Sequence, residues 1–193
     1  MTSQEKAMAA TILKYEDDRT TGPDSLRVLR LPKEDKGGQY EICGICDGIE
    51  PQTFHHIKDL LDQNKKQDAW DACLQYLLDN TKAVRAWIGN DKHPSIEFFL
   101  RDHYFNSGRK NTMKILQRAL NALGATLTDD GLPGPKTSAA LKNTLDGNRD
   151  KDLLKHLYEN RLAFYKSCKQ DPTFGRGWDE RTRNAYAYAG TLA

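Results

Sequence analysis

The sequence predicts a mainly α-helical protein, of α+β character only through one small β-hairpin near its N-terminus. Three observations predict it. Apolar residues recur at helical spacing through most of the chain, as in Trp70, Cys73, Leu74 and Leu77 and again in Met113, Leu116, Leu120 and Leu123. Convincing strand signals are confined to residues 25–31 and 39–45. With 193 residues, 38% hydrophobic and 29% charged side chains and a mean hydropathy of −0.76, the chain is long enough for a sizeable core and polar enough to stay in water. It is also too rich in Leu, Tyr, Phe and Trp to be disordered.

Residues 4–14 form the first predicted helix, with Met8, Ile12 and Leu13 near one face, ending at Tyr15-Glu16-Asp17-Asp18 before the turn Thr21-Gly22-Pro23-Asp24. Residues 25–31 and 39–45 follow as the two strands of the hairpin, with residues 32–37 as its loop. After Pro51 the pattern is helical throughout. Gly89 ends one helix, Pro94 opens the next, and Asn106-Ser107-Gly108 breaks the chain before the helix that carries Met113. Thr128-Asp-Asp-Gly-Leu-Pro-Gly-Pro135 is a turn cluster whose last proline opens a helix over residues 136–143. A further helix is predicted over 151–166 and a final one after Trp178. No repeat or low-complexity linker interrupts this order, so the expectation is an N-terminal lobe, residues 1–93, with the hairpin at 25–45, and a helical lobe, 94–193, packed as one body.

Composition excludes several function classes. No stretch approaches the roughly 18 to 20 apolar residues that cross a bilayer, and the N-terminus lacks a basic segment followed by an apolar one, so neither membrane insertion nor a cleaved signal is expected of this chain. A formal net charge of +2 argues against a dedicated nucleic-acid binder. That total hides an asymmetry. Residues 1–100 carry 13 basic and 17 acidic side chains, residues 101–193 carry 16 and 10, and a basic half suits contact with a polyanion such as the cell wall. Of the four cysteines, Cys43 and Cys46 make a C-x-x-C pair, but Cys73 and Cys168 lie too far from each other in sequence to complete a zinc tetrahedron with it. His55 and His56 are adjacent and point about 100° apart on a helix, which is poor chelating geometry. Ordinary thiols are expected, with a disulfide as the alternative.

Glu16 stands at the end of the first helix and directly before the hairpin. A carboxylic acid in a cleft can donate a proton to a glycosidic oxygen, but glycoside hydrolysis generally needs a second carboxylate. Asp35, two residues before Gly37-Gly38, and Glu41, on the returning strand, are the candidates, with Asp17 and Asp18 less well placed. Strand alternation puts Glu41 on the face of Gln39 and Cys43, opposite Tyr40 and Ile42.

These residues resemble a known family. Glu16, the turn, Asp35-Lys-Gly-Gly38 and Gly44-Ile45 are similar to the N-terminal signature of glycoside hydrolase family 108, bacterial and phage N-acetylmuramidases of lysozyme-like fold, E-G-G-x(n)-D-P-G-G-x-T-x-x-G-I. The chain departs from it where Asp17-Asp18 replace two glycines, Lys36 replaces the proline, the Gly-Gly to Gly-Ile spacing is one residue longer, and Tyr40 or Glu41 takes the threonine position. The C-terminal half resembles the companion region of the same proteins, a predicted peptidoglycan-binding domain. Phe98–Gly108 is similar to its F-D-x-x-x-N-x-G element, with Asp102, Asn106 and Gly108 in place. Ile115–Leu120 resembles L-Q-R-A-L, and Asp130–Thr137 resembles D-G-x-x-G-P-x-T. Arg161–Tyr165 and Phe174–Arg181 are similar to R-x-x-F-Y and F-x-x-G-W-x-x-R.

The resemblance implies a lysozyme-type peptidoglycan hydrolase that cuts the β-1,4 bond between N-acetylmuramic acid and N-acetylglucosamine. Glu16 would be its general acid, Asp35 or Glu41 its second carboxylate, and Gly37, Gly38 and Tyr40 would lie along the substrate. It implies no metal or organic cofactor. Read from chemistry alone, the glycines serve tight turns, and Phe164, Tyr165 and Trp178 lie on helical stripes that suit a core. Asn106 is either a donor to a sugar hydroxyl or N-acetyl group or the cap of the next helix, and Gln117 is either solvated or bonded to the loop at 130–135. Arg109, Lys110, Arg118, Arg161 and Lys166 favour anionic wall polymers. The expected protein is a monomer acting in the periplasm or on the wall, delivered by a secretion system, a phage holin or a larger parent chain. An antibacterial effector of this kind would have an immunity protein as partner. A non-catalytic peptidoglycan-binding or secretion-assisting protein and a lytic transglycosylase are the alternatives.

Overall fold

The computed structural model describes residues 1–32 and 36–192, with the backbone alone at 171 and 172. Its class is the expected one, mainly α and lysozyme-like: eight α-helices and a three-stranded antiparallel sheet among the described residues. The chain divides into two compact units, Met1–Asn80 and Thr81–Ala193.

In the first unit α1 spans Ser3–Glu16 and opens on a capping box, in which Thr2 Oγ1 accepts from the Glu5 N–H and the Glu5 carboxylate accepts from the Thr2 N–H. Met8, Ala9, Ile12 and Leu13 form its buried stripe, and it packs on α3, Lys66–Asn80. A 3-10 turn at Pro23–Ser25 is closed by the Ser25 hydroxyl, which accepts from the N–H groups of Thr21 and Gly22. The strands β1 (Leu29–Arg30), β2 (Tyr40–Ile42) and β3 (Ile45–Cys46) lie in that order. Leu29 opposes Glu41 and Arg30 opposes Tyr40, which is the expected hairpin; Ile42 opposes Ile45 in a second one.

The expected single strand over 39–45 is therefore wrong in its second half. Cys43 (φ 51°) and Gly44 (φ 78°) are both left-handed, the signature of a tight two-residue hairpin turn, so the chain doubles back after Ile42. The apolar run Ile42-Cys43 and Ile45 hid this turn because a cysteine stands where asparagine or glycine would announce it. Beyond the sheet, α2 (Pro51–Asp62) packs against β2, β3 and α3.

In the second unit α4 (Lys82–Ile88) is closed by Gly89 at φ 83°. The long α5 (Pro94–Ala122) bends at Gly108 (φ 78°, ψ 168°), where the polar break was expected. Pro135 opens α6 (Pro135–Asp146), and α7 spans Asp150–Lys166. The last helix, α8 (Asp171–Gly190), starts well before the expected point after Trp178, because Gly175 and Gly177 are held inside a helix rather than ending one. Helices α5, α7 and α8 pack on one another, with Phe98, Phe99, Leu153, Leu157 and Ala185 in the core.

Candidate functional site

Glu16 is the last residue of α1, half-buried, with its Oε1 removed from solvent. The helix stops there because Asp17 turns into extended backbone (φ −142°, ψ 102°) while its N–H still reaches the Leu13 carbonyl. Asp17 is itself buried. Its carboxylate accepts from the Thr20 hydroxyl at 2.8 Å and pairs with the Arg27 guanidinium, tying the end of α1 to the segment that leads into β1. Asp17 thus stands in a glycine position of the resembled family and works as an anchor.

Asp35 lies outside the described residues. Glu41, half-buried at the centre of β2, shares a sheet face with its registry partners Leu29 and Cys46, while Tyr40 is 40% exposed on the other face with Arg30. Gly37 and Gly38 belong to a backbone clasp. The Gly48 N–H donates to the Gly37 carbonyl at 2.9 Å, and Gly38 has φ 128°. A Cβ on Gly38 would fall 2.0 Å from Asp47 Oδ1 and 2.5 Å from the Gly48 nitrogen. Asp47 Oδ1 accepts from the N–H groups of Gln39 (2.7 Å) and Tyr40 (3.0 Å). These donors, Tyr40 first, then Gln39 and Gly48, hold its carboxyl below the usual carboxylate range.

The second unit buries charge. Asp102 is fully enclosed between Arg161 (Nη1, 2.6 Å) and Arg181 (Nη2, 2.8 Å), and Arg161 lies over the rings of Phe99 and Tyr165. Burial works against the Asp102 carboxylate, but the two guanidinium groups prevail and hold its pKa down. His103, equally buried, is pushed well below its ordinary value by burial and then by Arg161, so its ring is neutral. Glu97 makes a second buried pair with Arg101 at 2.8 Å and also receives Arg85 at 3.0 Å.

From this core an aromatic strip runs to the surface. Tyr165 stacks on Trp178 (5.0 Å, 23°), and Trp178 meets Phe174 (5.8 Å), which is 55% exposed. At the other end the Tyr165 hydroxyl donates to Asn106 Oδ1 at 2.6 Å and sits 3.2 Å from Ser107 Oγ. Asn106 is exposed within α5, and its oxygen receives a phenol rather than capping a helix. Gln117 is 2% exposed and bonded to the loop. Its Nε2 donates to Asp130 Oδ1, the Leu132 carbonyl and Thr137 Oγ1, and its Oε1 accepts from the Gly131 N–H. Its amide therefore fixes the D-G-x-x-G-P turn, beside which opens a cavity of about 480 Å³ lined by Thr126, Leu127, Leu132, Pro133 and Lys136. Among the described residues, no group of three or more His, Cys, Asp or Glu side chains is placed to hold a metal ion.

Residues 111–184 match a family model described as a predicted peptidoglycan domain. That segment holds Gln117, the Asp130–Thr137 turn, Arg161, Tyr165, Phe174, Trp178 and Arg181. A solved structure of SagA from Brucella abortus is similar over 96% of this chain and 94% of its own, at 19% identity and a TM-score of 0.61, and so has the same fold. No curated protein matches the chain.

Sequence reasoning missed Asp47 and Arg181. The Asp47-Gly48 dipeptide reads as a turn, but its bonds run back seven and eight residues to Tyr40 and Gln39, a separation that local patterns do not signal. Arg181 was visible only as the end of a motif, and its partner Asp102 lies 79 residues away.

Proposed function

We propose that the chain is a peptidoglycan hydrolase of the N-acetylmuramidase type, related to glycoside hydrolase family 108, with Glu16 as the proton donor to the glycosidic oxygen. The match of residues 111–184 to the predicted peptidoglycan domain carries this reading, because it supplies the polymer. The chemistry is supported by Glu16, a half-buried acid at the end of the first helix of a lysozyme-like fold, followed by a sheet with Glu41 at its centre. Glu41 or Asp35 would stabilise the oxocarbenium-like transition state or activate water. Wall contact falls to the second unit, whose 19 Lys and Arg against 12 Asp and Glu favour an anionic polymer, with Asn106 and the exposed Phe174 as contact residues. The proposed site of action is the cell wall, with an immunity protein as the partner if the role is antibacterial.

Mass spectrometry of fragments released from purified peptidoglycan tests this. Wild type is expected to yield reducing N-acetylmuramic acid ends, and Glu16→Gln, which keeps shape but removes the acid, to lose well over roughly a hundredfold in rate. Equal release by both proteins would remove Glu16 from the mechanism. A second reading, a non-catalytic wall-binding protein, is favoured by the engagement of Asp17 with Arg27 and Thr20 where the family has glycine. It predicts co-sedimentation with peptidoglycan and no fragments from either protein. Products lighter by one water would indicate a lytic transglycosylase.

A further inference from the structure

Helices α5 and α7 of the second unit start side by side. His93, just before α5, and Asp150, the first residue of α7, meet with Nδ1 and Oδ2 at 2.8 Å. Further along, the same two helices meet again where the Tyr165 hydroxyl donates to Asn106. The first part of α5 therefore runs parallel to α7, and their positive N-terminal ends lie together. Neither end is capped by a side chain. A cavity of about 650 Å³ opens at these two ends, lined by Lys92, Pro94, Ser95, Arg149, Lys151 and, from beyond the end of α8, Leu192.

Two features of the cavity point to a ligand. Ser95, 1% exposed, forms part of its wall, yet the Ser95 hydroxyl bonds to no group among the described residues. A hydroxyl buried without a partner is destabilising unless something else in the site takes its bond. The second feature is charge. Arg149 pairs with Asp152 at 3.3 Å and His93 with Asp150, which leaves the exposed Lys92 and Lys151 without a carboxylate among the described residues. Helix α8 ends at the same cavity and brings one negative helix terminus against two positive ones, so the balance stays positive. The groups left for a ligand are donors: a hydroxyl, the N–H groups of two first turns and two ammonium groups.

We infer that this cavity binds the free carboxylate of a peptide, and that on the wall it holds the C-terminal carboxylate of an uncross-linked peptidoglycan stem. The second half of this statement rests on the peptidoglycan reading above. The carboxylate accepts from the Ser95 hydroxyl and from the N–H groups that open α5 and α7, while Lys92 and Lys151 balance its charge. Pro94 and Leu192 supply apolar surface for the small side chain of the last residue. A donor stem loses its free carboxylate when the cross-link amide forms, so the site separates open stems from closed ones. It is distinct from the wall contact at Asn106, which lies about 18 Å further along α5.

The test titrates the isotope-labelled full chain with N-acetyl-D-alanyl-D-alanine, with the same dipeptide amidated at its C-terminus, and with inorganic phosphate, reading backbone amides by NMR. The acid is expected to shift Ser95, Ile96, Lys151 and Asp152 saturably, with a Kd on the order of 1 mM. The amidated dipeptide should leave them in place, and phosphate should bind at least about fivefold more weakly. Ser95→Ala should weaken the acid about fivefold without lowering Tm, because the hydroxyl it removes has no partner in the free protein. Lys92→Gln combined with Lys151→Gln, both at exposed positions, should weaken it about tenfold. Equal shifts from acid and amide, phosphate as tight as the dipeptide, or unchanged binding by these variants overturns the proposal. The wall half is read by competition: saturating dipeptide should release part of the chain from insoluble peptidoglycan, and no release overturns that half. Dipeptide binding needs no cleavage, so the two readings fail separately. Wall fragments without amide shifts would remove this site and leave the hydrolase, and saturable shifts without fragments would do the reverse.

Discussion

Asp102 keeps its charge inside the second unit only because Arg161 and Arg181 reach it from two other helices. Removing it leaves two guanidinium groups without their carboxylate, so Asp102→Ala is expected to cost about 3–5 kcal/mol, read as a lower urea midpoint. The neighbouring His103 gives a pH dependence of known sign. Its folded-state pKa lies well below 6.5, so as pH falls beneath about 6.5 the unfolded chain takes up a proton that the folded chain refuses. Stability is then lost at up to about 1.4 kcal/mol per pH unit, until the folded-state value is reached. Asp102 adds to the loss at lower pH, because its depressed pKa gives stability that is present above 3.8 and disappears as the pH falls through the folded value. Urea midpoints between pH 7.5 and 5 should fall for the wild type and flatten for His103→Gln. A slope unchanged in that variant would place the titrating group elsewhere.

At the scale of elements, two loops are held by single polar side chains. Asp47 gathers the backbone N–H groups of Gln39 and Tyr40 and so sets where β2 begins, while Gly38 leaves room for its oxygen. Gly38→Ala combines a left-handed φ with a contact that backbone cannot yield, and is expected to cost more than about 2 kcal/mol. Hydrogen exchange should show the loss as faster exchange at Tyr40 and Asp47, while α7 keeps its protection. In the second unit Gln117→Leu strands the Gly131 N–H and frees the Asp130–Thr137 turn, an effect of about 2 kcal/mol. Helix limits at these places were legible, since Gly89, Pro94 and Pro135 act through their own backbone. The β2–β3 turn was not, because Cys43 is not a turn-forming residue.

For the whole molecule, charge is divided by unit: residues 1–80 carry 10 basic and 15 acidic side chains, residues 81–193 carry 19 and 12. If the second unit carries wall binding, co-sedimentation of the full chain with peptidoglycan should weaken as sodium chloride rises from about 50 to 500 mM, where screening shortens to a few Å. Phe174→Ala should weaken binding at every salt concentration alike, since ring stacking on a sugar face is not screened. Salt-independent binding would remove the basic residues from the contact.

The sequence by itself determined the class of fold, the helix limits set by Gly89, Pro94 and Pro135, the place of the first hairpin and the elements shared with the predicted peptidoglycan domain. All of these are local: a 3.6-residue apolar period, a proline or glycine at a terminus, a short motif read in order. Only the tertiary structure decided that Asp17 is an anchor, that Gln117 is spent on a loop, that Asn106 accepts from Tyr165, and that Asp102, Arg161 and Arg181 share one buried charge cluster. The partners in that cluster lie 59 and 79 residues apart in sequence. Which polar groups meet across such separations depends on how amphipathic helices pack, and the apolar pattern that folds them is silent about the charges they enclose.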